Sequence, residues 1–587
     1  MANIKAPLLL SYCLSLVVLS VSSSDEHFYN VGNRIPLFVN KVGPVHNPSE
    51  TYQFYDLPFC HPEPVIWKKE SLGEVLNGDR LASSLFDLRF RQPKNGAILC
   101  QKNLAVGEVS KFRNAVMSDF YYQLYYDDLP IWGYVGKSEN TSWMSVPAGH
   151  RYYLFTHIQF DALYNGNQVI GISAFSHPNY YVDVTDDVEV DVEFTYSVSW
   201  NATSTRFEDR MNKYSRASNI SQHQKIHWFS VINSFVILAL STGLLVVLLS
   251  RHIKNDIRQP SAGDEEEDGD ILTNSHNYVL RVPSRISLFC AVVGSGMQLL
   301  TTVCCLFLLA FLNVLYPYKR GTLYTALVLT YSLGSMVGGY TSVSLYCQFA
   351  ERGWEWTVLA TGIVFLGPSS IILFALNTVS MTYGATAALP FGTILIILLI
   401  YAFVVVPLLI LGGILGRIFR SEFRALASTR RNTRELPWSV WYRKVPCQVL
   451  LGGLLSFISV VLELYELCLT LWGFKITVLP GTLFVTFFVL VTLTAVLGII
   501  LTLVQLSSED PDWWWRSFFR GGSAAIFMFG YFVCYYARSD MSGFLQLSMF
   551  LGYSACMCYA LFVLLGTVGF VASLIFVRHF YQAVKSE

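Results

Sequence analysis

The chain is short of charge. Of its 587 residues, 14% are Asp, Glu, Lys or Arg, against about 25% in soluble domains. The deficit falls after residue 227, which excludes a wholly soluble protein and leaves one soluble domain joined to a membrane block. Lys and Arg together number 41, as do Asp and Glu, so no bulk attraction to nucleic acid follows. Catalytic signatures are also missing. The sequence holds no GxSxG, HExxH, GxxxxGK[ST] or GxGxxG. Nothing assembles a nucleophile with a base, so neither an enzyme nor a cofactor is expected. There is no CxxC motif, and Cys556 and Cys558 are too close in sequence for a common metal motif. The histidines before the membrane block, from His27 to His227, are scattered without ligand spacing, so no metal site is expected.

What the chain does have is apolar length. Nine runs follow one another, at about 228–250, 286–312, 322–349, 356–378, 388–415, 447–471, 477–506, 518–537 and 546–577. A bilayer core of about 30 Å needs about 20 apolar residues per helix, and only helices satisfy their own backbone there among single segments. The expectation is an all-α domain of nine transmembrane helices over 227–577, embedded in the lipid bilayer.

Residues 1–24 read as a signal peptide, with Lys5 in the n-region, an apolar stretch from Leu8 to Leu19 and small residues near Ser22. The following domain, 25–226, should then face the lumen. It reads as β-rich and sandwich-like. Val188, Val190, Val192, Phe194, Tyr196, Val198 and Trp200 alternate with polar residues, and Tyr152, Leu154, Thr156, Ile158 and Phe160 repeat the pattern more weakly. Asn140, Asn201 and Asn219 begin glycosylation sequons, whereas Asn47 is blocked by Pro48. Cys60 and Cys100 are the only cysteines of this domain. In an oxidising lumen they are a candidate disulfide, with two free thiols the alternative.

The loops divide by charge. An acidic linker at 251–285 carries six acids between Asp264 and Asp270. A basic loop at 417–446 carries Arg417, Arg420, Arg424, Arg430, Arg431, Arg434, Arg443 and Lys444. With the first domain lumenal, nine crossings place both loops and the tail 578–587 in the cytosol, in keeping with the positive-inside rule. Gly334 and Gly338, and Gly412 and Gly416, have the spacing that lets helices approach closely. Inside the spans, Glu463 and Glu466 stand out as the ionisable residues. Three residues apart, they share one helix face. A carboxylate in hydrocarbon faces the bundle interior, either as a proton or cation site or as an interhelical hydrogen bond.

Several motifs taken in order resemble one family, the nonaspanins or transmembrane-nine superfamily. In the first domain they are Leu57-Pro58-Phe59-Cys60, Leu72-Gly73-Glu74 with Gly78-Asp79-Arg80, Tyr164-Asn165 and Ile226-His227-Trp228-Phe229-Ser230. In the membrane block they are Gly339-Tyr340, Ala388-Leu389-Pro390-Phe391-Gly392, Asn432-Thr433-Arg434, Glu509-Asp510, Trp514-Trp515-Arg516-Ser517-Phe518 and the terminal Lys585-Ser586-Glu587. Two stretches depart from the family pattern: 274–281, and Ser456 where the family has proline, a change expected to remove a kink. The resemblance implies a Golgi and endosomal multi-pass glycoprotein that sorts or delivers other membrane proteins. It implies Lys585 and Glu587 as a sorting signal read by the COPI coat, with membrane-protein cargo as the other partner. A proton- or cation-coupled transporter or channel using Glu463 is the alternative.

Overall fold

The computed structural model describes residues 27–140, 150–177, 179–210, 228–257, 283–312, 314–315, 320–350, 352–419, 445–472, 480–506 and 513–586. The expected signal peptide, the acidic run 264–270, most of the basic loop, Asn219, Asn432, Glu509, Asp510 and Glu587 lie outside them.

The first region is built from strands β1 (Leu37–Pro44), β2 (Tyr52–Gln53), β3 (Ala82–Ser83), β4 (Lys94–Leu104), β5 (Phe120–Tyr126), β6 (Leu129–Tyr134), β7 (Gly136–Asn140), β8 (His150–Phe155), β9 (His157–Asn165), β10 (Gln168–Ser176), β11 (Tyr181–Asp183) and β12 (Val190–Ala202), with helices α1 (Leu72–Leu76) and α2 (Val106–Met117). They form three sheets: β2-β1-β5-β6 with β3 on β1, β10-β9-β12-β4, and β11-β8-β7. The strong alternating run is β12, where Val192, Phe194, Tyr196 and Val198 are buried while Asp191 and Glu193 are exposed. Its register beside β9 is parallel. The weaker run is two strands of different sheets, divided at Thr156. One core joins the first two sheets, with Leu37, Val39 and Leu124 meeting Phe160, Ile172 and Phe194. Burying such side chains contributes about 1.5–3 kcal/mol each. Cys60 and Cys100 are joined by a disulfide whose Cα atoms are 6.3 Å apart.

His157, at the head of β9, is nearly covered. Its Nδ1 lies 2.8 Å from Thr195 Oγ1 on β12, and its ring is 5.0 Å from that of Tyr180. Burial, and then the nearby His177, hold its pKa below the usual histidine range. The neutral form is therefore the one that fits. Its stabilising contribution is complete above the unfolded pKa of about 6.5 and is lost as pH falls from there through the lower folded value. H157Q is expected to flatten the dependence of β-domain stability on pH between about 6.5 and 5. Melting curves that keep the wild-type pH slope would refute this.

The second region is helical: α3 (Trp228–Ile257), α4 (Ile286–Phe311), α5 (Thr322–Tyr346), α6 (Trp354–Tyr383), α7 (Phe391–Ile400), α8 (Val406–Ile418), α9 (Val445–Ile458), α10 (Val461–Leu471), α11 (Pro480–Leu506), α12 (Trp513–Gly522), α13 (Ala524–Arg538) and α14 (Phe544–Ser586). A π turn, Tyr401–Val405, joins α7 to α8. Among the described residues seven helical stretches are long and apolar enough to cross a membrane, including Phe391–Ile418 across that turn and Trp513–Arg538 across α12 and α13. The protein is a multi-pass membrane protein. Two of the nine expected runs are not among the seven. The 25 residues of α5 are long enough but rich in Ser, Thr, Gly and Tyr, which lowers their hydropathy. Their hydroxyls turn inward on their own helix: Thr330 donates to the Ala326 carbonyl and Ser332 to Val328, both at 2.7 Å. The other run, 447–471, is broken at Ser459 and Val460 into α9 and α10. Helix α9 is continuous through Ser456, so this break is separate from the loss of a proline kink expected there. The interruption comes three residues later, with Ser459 Oγ donating 2.8 Å to the Ser456 carbonyl and Ser234 of α3 donating to the Ser459 carbonyl.

Helix α14 is the common support. It packs against α4 and α6 on one side and α11, α12 and α13 on another. In α6, Pro368 leaves the Val364 carbonyl without its helical donor; the Tyr559 hydroxyl of α14 supplies one at 2.6 Å. Helix α14 runs on through Ser586, past the expected end of its span near 577.

Candidate functional site at the junction of the β domain and the helices

The residues with the most specific geometry lie where the β domain sits on the helices. A Ser71–Glu74 capping box starts α1: the Ser71 amide donates 2.7 Å to Glu74 Oε2, and the Glu74 amide donates 3.4 Å to Ser71 Oγ. This aims the helix at the loop before α5. There Gly73 meets Gly321 backbone to backbone. A Cβ on Gly73 would lie 2.1 Å from the Gly321 carbonyl oxygen, and Gly321 itself has φ +69°. Only glycine pairs permit that approach.

Next to it, Arg320 reaches into the β domain. Its Nη2 is 3.1 Å from Glu74 Oε1 and 3.8 Å from Asp128 Oδ1, and the guanidinium lies 4.6 Å from the Tyr125 ring centre. Its side chain is 8% exposed. Glu74 thus uses one oxygen to cap α1 and the other to hold the bundle. Asp128 belongs to a two-residue turn between β5 and β6 whose residues, Asp127 and Asp128, have φ 49° and 61°. Its partner Asp127 points the other way, accepting from Tyr29 Oη at 2.6 Å and from Arg210 Nη1 at 2.9 Å, with His27 Nδ1 at 2.8 Å. The turn therefore ties both ends of the β domain to the helix-bound Arg320.

A second anchor follows α1. The Arg80 guanidinium donates 2.9 Å to the Ala388 carbonyl, just before α7. Behind it, Asn40 Nδ2 donates to Asp79 Oδ1 at 2.9 Å and to Gln123 Oε1 at 3.0 Å, while its Oδ1 accepts from the Arg80 amide. Glu70 lies 3.6 Å from Arg80. Burial raises its pKa above the usual carboxylate range, against the pull of the Leu81 amide and Arg80. The third anchor is neutral. Thr386 N–H donates 2.8 Å to the Thr51 carbonyl, the two hydroxyls are 2.6 Å apart, Ser49 N–H donates to Gln546 Oε1, and Ser542 N–H donates to Asn47 Oδ1. Asn47, unusable as a sequon, is a joint residue.

Three motifs from the sequence thus converge here: Leu72-Gly73-Glu74, Gly78-Asp79-Arg80 and Ala388-Leu389-Pro390. Other expected residues do not. Asn201 is exposed on β12 and Asn140 ends β7. Glu463 and Glu466 lie on α10; Glu463 Oε2 is buried with no hydrogen-bond partner among the described residues. Lys585 falls within α14. The reading of Glu463 and Glu466 as the ionisable residues of the spans overlooked Arg520, which falls inside the expected span 518–537. Its guanidinium is buried among helices and donates to Gln448 and Gln505. The signal was one arginine in an apolar run. Among the described residues no group of acidic, histidine or cysteine side chains could hold a metal.

Comparison with known proteins agrees with these motifs. A family profile described as Endomembrane protein 70 matches residues 51–544. Transmembrane 9 superfamily member 5 of Arabidopsis thaliana is 52% identical over 97% of each chain. Transmembrane 9 superfamily member 1 of Mus musculus is 36% identical over 95% of this chain and 94% of its own. A Dictyostelium discoideum protein that carries the name of a phagocytic receptor is 36% identical over 99% of each. No solved structure matches. On the strength of the full-length match and the motifs gathered at the junction, the chain belongs to the transmembrane-nine superfamily, the nonaspanins.

Proposed function

We propose that this protein sorts or delivers other membrane proteins within the Golgi and endosomes, without enzymatic chemistry. The observation that carries the reading is the junction itself. It joins a β domain of ordinary soluble character to a helical block, so one molecule offers a partner both an aqueous surface and an apolar one. The family's description as endomembrane proteins supports the compartment, and the receptor name of one relative supports engagement of other molecules. In this reading the β domain is lumenal and sandwich-like with a third sheet added. Helix α5 and the broken α9–α10 pair supply two further crossings, making nine. Lys585 and Glu587 address the protein to the COPI coat, and the sequons at Asn140, Asn201 and Asn219 carry glycans. The test is the surface proteome of cells lacking the protein, complemented with wild type or with K585A/E587A. A subset of multi-pass proteins is expected to leave the surface on loss and return with wild type. The tail variant is expected to move to later compartments and restore delivery incompletely. An unchanged surface proteome on loss would end the proposal.

A second reading, a proton- or cation-coupled transporter, rests on Glu463. Its unpartnered oxygen stands in the first turn of α10, just after a break in a membrane helix, a kind of interruption that transporters use to bind ions. If Glu463 is structural, E463Q should leave folding and cargo delivery intact. Proton or cation flux in reconstituted vesicles that E463Q abolishes, in a stably folded protein, would favour transport instead; wild-type vesicles without flux above background would remove it.

A further inference from the structure

The β domain meets the helices with one face of its first sheet. Along β5, Tyr122, Leu124 and Tyr126 belong to the core of the domain, so Gln123 and Tyr125 occupy the opposite face. That outer face is the one turned to the helices. Arg320 covers the Tyr125 ring, and Gln123 is joined through Asn40 to Asp79 and Arg80. The register carries the face outward strand by strand. Phe38 of β1 stands opposite Tyr125, and Ser83 of β3 opposite Phe38. Beyond β3 one extended segment closes the edge. Trp67 bridges Ala82, the Ser83 amide donates 2.8 Å to the Ile66 carbonyl, and the Lys68 amide donates 2.9 Å to that of Leu81. Ile66 and Lys68 therefore share the outer face. The Lys68 ammonium agrees, lying 5.1 Å from the centre of the Phe38 ring.

Three strand spacings separate this edge from Tyr125, about 14 Å, and it extends past the helical contacts. Ile66 is 66% exposed and Trp67 49%; Lys68 and Lys69 are exposed as well. The next residue, Glu70, lies 3.6 Å from Arg80, whose guanidinium holds the Ala388 carbonyl three residues before α7. The edge thus stands beside the helix ends, at the height where the spans begin. Phe391, in the first turn of α7, is itself 78% exposed.

We infer that this edge, Ile66 to Lys69, rests on the phospholipid headgroups of the leaflet on the β-domain side, outside the footprint of the helices. Two observations select that occupant. One is continuity: the face that docks on the helix ends runs on without a break to Ile66 and Lys68. The other is chemistry. An apolar residue and a tryptophan are followed by two lysines that are in no ion pair among the described residues. Tryptophan is favoured at the membrane–water boundary, and lysine lays its stem along apolar surface while its ammonium stays at the polar level, where the phosphates are. Other exposed apolar residues of the domain lack this setting. Ile98 is 60% exposed but belongs to β4, in the sheet across the core from the helices.

The test uses the full-length protein in nanodiscs of phosphatidylcholine and phosphatidylserine. Benzoylphenylalanine replacing Ile66 is expected to cross-link to phospholipid at least fivefold more than the same residue replacing Ile98. K68E/K69E, added to the position-66 protein, should cut that yield at least threefold, while amide exchange at 72–80 stays as in the wild type. The contrast between positions 66 and 98 needs no charge variant and stands if K68E/K69E fails to fold. Equal yields at 66 and 98 would overturn the inference, and a yield that a folded K68E/K69E protein leaves unchanged would remove the headgroup contact. Cross-linking in native membranes that joins position 66 to a protein in place of a lipid would also overturn it.

Discussion

Gly73→Val is expected to release the β domain from the helices. The added Cβ would meet the Gly321 carbonyl at 2.1 Å and Thr325 Oγ1 at 2.3 Å. A flexible side chain could move aside, but a carbonyl in a loop that already has φ +69° cannot. Overpacking in a well-filled core costs about 1–3 kcal/mol, and here the backbone of two regions would have to part, which takes the Arg320 and Arg80 anchors with it. The full-length protein should therefore melt in two steps where the wild type melts in one. Hydrogen exchange at 72–80 and 320–325 should rise at least tenfold while the β core stays protected. A single unshifted transition would show that the junction is not what holds the domain in place.

Arg320→Glu is the second large effect. It replaces the cation between Glu74 and Asp128 with a third carboxylate. Breaking a buried pair costs about 3–5 kcal/mol. The Asp128 side chain is 32% exposed, so the lower end of that range applies. The charge swap R320E/E74R should recover part of the loss, because an Arg at 74 can still reach both acids. A coupling of at least about 1 kcal/mol in the double-mutant cycle is expected. Additive losses would mean that Arg320 acts through the Tyr125 ring contact and not through its charge.

Part of this was readable from the residues. Alternation placed β12, and apolar length placed most of the helices, because both signals are local and periodic. Where polarity is internal, the signal weakens. The hydroxyls of α5 bond back to their own helix, and their abundance lowers its hydropathy. The break at Ser459 and Val460 has neither proline nor glycine to announce it. The parallel pairing of β9 with β12 depends on which strands meet across the domain, and no local pattern encodes that. The junction was legible only as separate motifs. Gly73 and Gly321, Arg80 and Ala388, and Asn47 and Ser542 are contacts between distant parts of the chain. What marks them in sequence is an isolated glycine or a polar residue without an evident task.

The connectivity of the junction also sets a timetable. β12 lies between β9 and β4 and is the last strand made, so the β domain can close once residue 202 has been synthesised. Its lower face then needs Arg320, Thr386, Ala388 and finally Gln546. That last partner emerges about 340 residues later, or about 17–70 s at 5–20 residues per second. For that interval a folded domain waits with Thr51, Glu74 and Arg80 facing water, while its platform is inserted piece by piece. Nascent chains arrested before Gln546 should present this surface to the chaperones of the compartment, and those completed past it should not.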